Sequence, residues 1–280
     1  MAKGVLGLIM CPMLEDELLY ALSRDSDVGR VVLLENEYCG SIRRKMESRG
    51  IRFETVPEWE FDNGMVEFDR DIFNVVIKAN NLALHAEPAD LRTHLTQQVI
   101  DMQPNADVIG MYYGICGNHG WDISAWAKEQ GYKPVFVFRG DDGEVCDDCV
   151  AVAIGGASNY RRFIKRYTGI FFLTPAIAAN WKDFIMAGDT AKGLANVPDE
   201  TLEELGIHGQ EDFMRWLFEV GHYEFVLKMN TGLNPELDFD AKAEEIGKAL
   251  NLKPIQIEDG WLTLNTAESL YRNCKEAMPR

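Results

Sequence analysis

The sequence lacks any concentration of positive charge. Its 28 lysines and arginines are outnumbered by 45 aspartates and glutamates among 280 residues, which gives a formal net charge of −17. A chain with this balance repels the phosphate backbone of nucleic acids and the surface of anionic membranes. We therefore expect neither nucleic acid nor a membrane among its partners, and we interpret the acidity mainly as a source of solubility.

Long apolar runs are also missing. No stretch reaches the roughly 18 apolar residues that a membrane helix needs. Lys3 is followed only by a strand-length apolar run, so we recognise no signal peptide. We expect a cytoplasmic protein whose thiols stay reduced. Its six cysteines are then interpreted as metal ligands, nucleophiles or core residues rather than as disulfides.

Several familiar catalytic signatures are absent as well. The chain has no G-x-S-x-G nucleophile elbow, no Walker A loop and no H-E-x-x-H helix. Common hydrolase, nucleoside-triphosphate and zinc-peptidase chemistries therefore lack their sequence patterns. Whether the protein is an enzyme stays open on this ground.

Strand-like apolar runs alternate with helix-like segments through the first half of the chain. This alternation predicts an α/β fold in which helices flank a parallel sheet, as in Rossmann-like three-layer proteins. Residues 1–186 are expected to form this domain and to carry the site, and residues 187–280 to form a mainly helical C-terminal part. The predicted strands cover residues 5–10, 30–35, 51–56, 106–115, 134–138 and 170–175, and helical patterns cover 69–102, broken at Pro88, and 210–229.

Four cysteines directly follow predicted strands. Cys11 follows the first strand, Cys116 follows the strand at 106–115, and Cys146 and Cys149 lie in the loop after 134–138. Loops at the carboxyl ends of parallel strands share one edge of the sheet, where ligands bind. The sequence therefore predicts that these cysteines converge on one site.

Thiolates gathered in a reducing compartment are typical ligands of zinc or of an iron–sulfur centre. Cys146 and Cys149 have the C-x-x-C spacing of two ligands on one metal, and His119 is a candidate further ligand. The alternative is that Cys11 and Cys116 are small core residues. A thioredoxin-like redox pair is less favoured, because aspartates between the two thiols raise their pKa.

Two glycine-containing loops are candidate cofactor-binding segments. Gly117, Asn118 and His119 lie in one that turns from strand to helix, where glycine permits close backbone approach. Gly155 and Gly156 precede a helix that carries arginines, an arrangement that attracts anions. The simpler interpretations are a turn in the first case and a capped helix with a solvated basic face in the second.

The chain resembles domain-of-unknown-function family 1638, found in anaerobic bacteria and methanogenic archaea. The resemblance rests on Cys11, on "YGICGN" (113–118), on "DDCVAVAIGG" (147–156) with "NYRRF" behind it, on "GIFFLTPA" (169–176), and on "NTGL" and "AEEIGKAL" farther along. The family pattern has a histidine near the place of Asp147 and Gly-Trp at the place of Ala176 and Ile177, and Cys146 is an extra thiol relative to it. It implies cysteine positions at Cys11, Cys116 and Cys149.

The resemblance also implies a setting near corrinoid-dependent methyl transfer and one-carbon metabolism. We expect a protein that binds zinc or iron through Cys11, Cys116 and Cys149, with Cys146 or His119 as a further ligand. One form of this hypothesis is a metal-dependent methyltransferase that works with a corrinoid ligand, or with a corrinoid or methyltransferase protein. The alternative is a non-catalytic carrier or chaperone for a metal, a corrinoid or a tetrapyrrole.

Overall fold

The first half of the chain folds around a six-stranded parallel sheet. The structure, a computed structural model, describes residues 1–187 and 189–280. The strands lie side by side in the order β3-β2-β4-β1-β5-β6, and every neighbouring pair runs parallel. Their bounds are β1 Gly4–Met10, β2 Val28–Glu35, β3 Glu54–Pro57, β4 Phe73–Ala79, β5 Val108–Tyr112 and β6 Val135–Val137.

Helices cover both faces of this sheet, as the alternation of the sequence predicts. Along β1 the side chain of Ile9 belongs to the core on one face and that of Leu8 to the core on the other, so both faces are buried. The helices of this half are α1 Glu15–Ser23, α2 Gly40–Ser48, α3 Glu58–Asp62, α4 Pro88–Met102 and α5 Ile123–Glu129, with 3₁₀ turns at Pro12–Leu14 and Leu82–Ala86. The predicted fold class is confirmed.

Strand β4 corrects the sequence-based prediction of a helical segment from Asp69 to Met102. Its seven residues are all buried between β1 and β2. Two of them are polar, which made the stretch resemble an amphipathic helix. Asn74 donates hydrogen bonds to the carbonyls of Gly4 and Asp69, and the Lys78 ammonium lies 2.7 Å from the Glu58 carboxylate. The Asn74 amide nitrogen and the Lys78 ammonium thus have partners inside the protein, which lets the strand keep them in the core, whereas Asn74 Oδ1 has no hydrogen-bond partner among the described residues.

A second, three-stranded parallel sheet follows, in the order β7-β8-β9. The helix predicted over 210–229 ends at Val220, since the chain turns at Gly221 and at His222, whose φ is +56°, and continues as a strand. These strands are β7 Ile170–Leu173, β8 Phe225–Lys228 and β9 Lys253–Gln256. The helices of this half are α6 Cys149–Ala153, α7 Ala157–Arg166, α8 Pro175–Ala179, α9 Trp181–Ile185, α10 Asp189–Asn196, α11 Asp199–Glu204, α12 Gln210–Val220, α13 Phe239–Leu250 and α14 Asn265–Glu276.

The chain returns to the first sheet at its end. Helix α14 packs on β5 and β6, and Cys274 on this helix is fully buried. Strand β7 precedes residue 187 and pairs with β8 after it, so hydrogen bonds connect the two parts of the chain. The expected boundary at 186/187 stays a prediction. None of the described helices combines the length and the apolar character that crossing a membrane requires.

Candidate functional site

One cavity of about 340 Å³ lies at the carboxyl edge of the six-stranded sheet. Cys11, Cys116 and Cys149 all line it. They follow β1, β5 and β6, which are neighbours in the sheet, so the topology itself brings the three loops to one place. The structure thus places three of the sequence-predicted cysteines around a single space.

Cys11 is held at the end of β1. Its backbone N–H donates to the carbonyl of Tyr112 at 3.0 Å, which extends the pairing of β1 with β5 by one residue. Its own carbonyl accepts from the N–H of Leu14 and closes the 3₁₀ turn at Pro12–Leu14. With only 5% of its surface exposed, the residue has a fixed backbone and a side chain enclosed by protein.

Cys116 is held by the neighbouring loop in a strained backbone conformation. Its φ is +42°, in the left-handed region that non-glycine residues adopt at a cost. Its N–H donates to the carbonyl of Asp147 at 2.6 Å, and the N–H of Ile115 donates to Cys146 at 3.2 Å. These two bonds pair the loop after β5 with the loop that carries Cys149.

Gly114 permits this pairing. A Cβ at this position would lie 2.5 Å from the carbonyl oxygen of Asp147 and 2.6 Å from the Cα of Asp148, both backbone atoms. Only glycine therefore fits between the two loops without displacing one of them. The sequence predicts that a bound group approaches the backbone at the glycines of this loop, and at Gly114 the approaching group is the adjacent loop.

Cys149 begins the short helix α6. The preceding residue, Asp148, caps this helix by accepting a hydrogen bond from the N–H of Ala151 at 2.8 Å. Cys149 is half-buried and packs against core residues on both faces of the first sheet and against the core beside the second sheet. Its thiol therefore lies where the two sheets approach each other.

All three thiols favour the protonated form. Burial raises the pKa of Cys11 to about 12 and raises the pKa of Cys116 and Cys149 well above the ordinary value. The thiol of Cys11 adds to the effect on Cys116, and the Asp148 carboxylate adds to that on Cys149. At neutral pH these groups are thiols, and a cation at the site would be required to turn them into thiolates.

The three thiols do not form a finished metal cage. Within residues 1–187 and 189–280, no group of three or more His, Cys, Asp or Glu side chains is arranged so that it could hold a metal ion. Metal binding at this cavity would require the cysteine side chains to turn toward a common point.

The other predicted ligands lie elsewhere. Cys146 is fully buried in the core on one face of the six-stranded sheet, beside Phe138, and is not one of the described residues that line the cavity. His119 is exposed and likewise does not appear in that lining. The two cysteines of the C-x-x-C motif therefore have different surroundings, since Cys149 lines the cavity and Cys146 packs in the core.

Of the predicted cofactor-binding residues, Gly117 lines the cavity. Asn118 secures the same loop by donating to the carbonyls of Pro88 and Ile115. Gly155 and Gly156 instead allow close packing, the first beside Thr263 and the second against the backbone of Gly140. These two do not belong to the described cavity lining.

A carboxylate already lies at the N-terminus of α7, the helix that follows Gly155 and Gly156. The Asp142 carboxylate accepts from the N–H of Ser158 at 3.1 Å, and Arg161 pairs with Glu144 at 2.8 Å. The carboxylate at the start of α7 occupies the position that an anion would take. The structure therefore favours the simpler interpretation of this segment, a capped helix with a basic face.

The aromatic wall of the cavity was not recognised in the sequence. Part of it comes from β7, which runs past the cysteines from the second sheet. The imidazole of His85 stacks on the ring of Phe184, with ring centroids 4.9 Å apart and planes 4° from parallel. The aromatic and imidazole residues of the lining are His85, Tyr113, Phe171, Phe172, Phe184 and Tyr223. No local pattern could have found them, because they come from five separate segments.

Two further buried groups near the cysteines were also missed. Tyr113 lines the cavity, and no hydrogen bond of normal geometry reaches its buried hydroxyl from the described residues. Glu17, on the first turn of α1, is 8% exposed, and its Oε2 has no hydrogen-bond partner among them. Burial raises the pKa of Glu17 to about 7, with a smaller contribution from Asp16. Acidic residues at a helix start are unremarkable in a sequence, so nothing marked Glu17 as buried.

Comparison with known proteins gives one match. The family model described as "Protein of unknown function (DUF1638)" matches residues 80–267, more than half of the chain. No curated protein and no solved structure matches. The matched range includes Cys116 and Cys149, whereas Cys11 precedes it.

Proposed function

The chain belongs to the DUF1638 family, and we propose that this member binds one zinc or iron ion through Cys11, Cys116 and Cys149. The observation that carries the proposal is that these three cysteines, from three neighbouring strand ends, line one cavity. Thiolate sulfur is the ligand type that both metals accept readily in a reducing compartment. Backbone hydrogen bonds already hold the loops that carry the cysteines next to each other. Less movement is therefore needed to bring the three thiols together.

Three protein ligands leave room for an exogenous one. Cys11, Cys116 and Cys149 would hold the metal, which would supply Lewis-acid activation of a thiol or water at a fourth position. The cavity beside the cysteines is at the small end of the range for ligand pockets, which is about 300 to 1,000 Å³. A small organic acceptor fits this space, whereas a whole corrinoid macrocycle does not.

The reaction that we propose is methyl transfer to an acceptor at this cavity. The acceptor thiol would lose its proton when the metal activates it, and its sulfur would then attack the methyl carbon. An S–C bond forms while the bond from that carbon to its donor breaks, and the electron pair of that bond stays with the donor. If the donor is a corrinoid, its size requires it to approach from outside, carried by a partner protein. The link to corrinoids and one-carbon metabolism depends on the family setting and is the finer part of the proposal.

Metal uptake is expected to depend on pH. Each thiol that becomes a ligand loses a proton, and burial has raised the pKa of all three thiols. Metal binding therefore releases protons, and the apparent affinity increases as the pH rises. Proton release measured in weakly buffered solution during zinc titration would count the thiols that ionise.

Metal analysis of protein purified without oxygen tests the proposal. We expect about one equivalent of zinc or iron per chain in the natural protein and much less in Cys149→Ala. Cys146→Ala is the matched control, since Cys146 is the second thiol of the same C-x-x-C but packs in the core. Unfolding curves establish that both variants are folded. Absence of zinc, iron or cobalt near one equivalent, or equal metal loss in both folded variants, would contradict the proposal.

A non-catalytic carrier of a metal, corrinoid or tetrapyrrole is the second candidate. The excess of acidic residues favours it, because a net charge of −17 attracts cations to the protein surface. The two candidates differ in turnover. A carrier changes the visible spectrum of added cobalamin and transfers no methyl group to thiols, whereas an enzyme forms a methylated product.

A further inference from the structure

The wall of the cavity carries negative charge and no fixed positive charge. Asp147 and Asp148 both line it, and no lysine or arginine appears among the described lining residues. An anionic ligand would therefore meet repulsion at this site without a compensating partner. The composition of the wall selects for a neutral or cationic ligand.

Among the described residues, none pairs with the Asp147 carboxylate. Its backbone carbonyl accepts from Cys116, but no described residue forms an ion pair or a hydrogen bond with its side chain. The carboxylate of Asp148, by contrast, already accepts from the N–H of Ala151. Asp147 is thus the side chain that a cation in the cavity would neutralise.

Aromatic residues from several segments line the same space. They include both buried and exposed rings, since Tyr113 is 2% exposed and Tyr223 is 41% exposed. Phe184 is held in place by the stacked His85. The faces of such rings are electron-rich and attract cations within about 6 Å of the centroid.

From this wall we infer that the cavity binds a small alkylated onium ion, either a quaternary ammonium or a sulfonium. The charge of such an ion is spread over its alkyl groups, and it has no N–H to donate. It is therefore satisfied by ring faces and one unpaired carboxylate, which the cavity provides. A primary ammonium ion would instead need several hydrogen-bond acceptors around its nitrogen.

The role of the onium ion as a substrate rests on the proposed function, methyl transfer at this cavity. The bound onium ion would be the methyl donor beside the cysteines, and the activated thiol would be the acceptor: the N–CH3 or S–CH3 bond of the ion breaks as the new S–C bond forms, and a neutral amine or thioether leaves. Its binding can nevertheless be measured without metal, because the rings and Asp147 belong to the protein itself. Failure of the metal site and failure of the onium site are therefore separate results.

Calorimetric titration of the metal-free full-length protein provides the test. The probes are choline, trimethylsulfonium and the alcohol in which a tert-butyl group replaces the trimethylammonium group of choline. That alcohol has nearly the same shape as choline and no charge. We expect this alcohol to bind at least about tenfold more weakly than choline. The tighter of the two onium probes identifies the ion class.

Matched variants locate the site. Asp147→Asn and Phe184→Leu should each weaken choline binding by about fivefold or more, because one removes the unpaired charge and the other a ring face. The controls are Asp141→Asn, an exposed residue of the same loop, and Phe53→Leu, a half-buried ring, neither of which is among the described lining residues. They should bind choline as the natural protein does.

Several results would overturn the inference. These are equal binding of choline and its neutral analogue, no binding of either onium probe, or unchanged choline binding in folded Asp147→Asn and Phe184→Leu proteins. Choline binding in a protein that takes up no metal would contradict the metal proposal alone. Metal uptake without onium binding would contradict only this inference.

Discussion

Gly114→Ala is the substitution from which we expect the clearest structural effect at the cysteine site. The added methyl group would lie 2.5 Å from the oxygen of Asp147 and 2.6 Å from the Cα of Asp148. Both are backbone atoms, so no side-chain rotation can relieve the contact. Relief requires the loop after β5 and the loop before α6 to move apart, which also moves Cys116 away from Cys149.

The cost has two sources. Overpacking of this kind typically costs about 1 to 3 kcal/mol. Separation of the loops also weakens the hydrogen bonds from Ile115 and Cys116 to the opposite loop, each with a net contribution of about 0.5 to 1.5 kcal/mol. The smaller entropy of the unfolded alanine chain offsets about 0.4 to 1 kcal/mol of this. We expect the free energy of unfolding to fall by about 1 to 6 kcal/mol.

Urea unfolding and metal analysis measure the two consequences of Gly114→Ala. The control is Gly40→Ala, at the first position of α2, where the nearest atom is the flexible end of Arg44 at 3.6 Å. This control should be neutral or slightly stabilising, because alanine favours a helix. A Gly114→Ala protein within about 0.5 kcal/mol of the natural one, with its metal content unchanged, would refute the reasoning.

Two further perturbations test the strain and the buried charge near the site. Cys116 has a φ of +42°, which glycine adopts more readily than alanine. In urea unfolding, Cys116→Gly should therefore be more stable than Cys116→Ala by about 1 kcal/mol, although both variants lose the thiol. Equal stabilities would show that the strain is unimportant. Glu17 has a native pKa of about 7 against an ordinary 4.5, so the unfolded state ionises first as the pH rises. As the pH rises from about 5 to about 8, the free energy of unfolding of the natural protein should therefore decrease relative to that of Glu17→Gln, by up to about 3 kcal/mol. A difference between the two proteins that does not change with pH would contradict a buried carboxyl.

Much of the fold was predictable because each strand of a parallel sheet is apolar on both faces. That composition marked β1, β2, β5 and β6 in the sequence. It failed at β4, where Asn74 and Lys78 interrupt the apolar run and find their partners only in the folded protein. It also failed after Val220, where a short turn divides an apparently continuous helix.

The candidate site was predictable to the extent that it follows from chain direction. A cysteine placed after a parallel strand must lie at the carboxyl edge, so the approach of Cys11, Cys116 and Cys149 to one cavity agrees with the sequence. Which face of the sheet a loop residue meets does not follow from the direction of the strand. For this reason Cys146 and Cys149, three residues apart, have different surroundings.

The sequence by itself therefore determined the parallel sheet and the edge at which its cysteines lie, because apolar periodicity and strand direction are local properties. Only the tertiary structure decided what closes the cavity. The aromatic wall and the unpaired Asp147 meet there through packing of segments distant in the chain. The exclusion of Cys146 and the raised thiol pKa values likewise depend on burial, which long-range contacts produce.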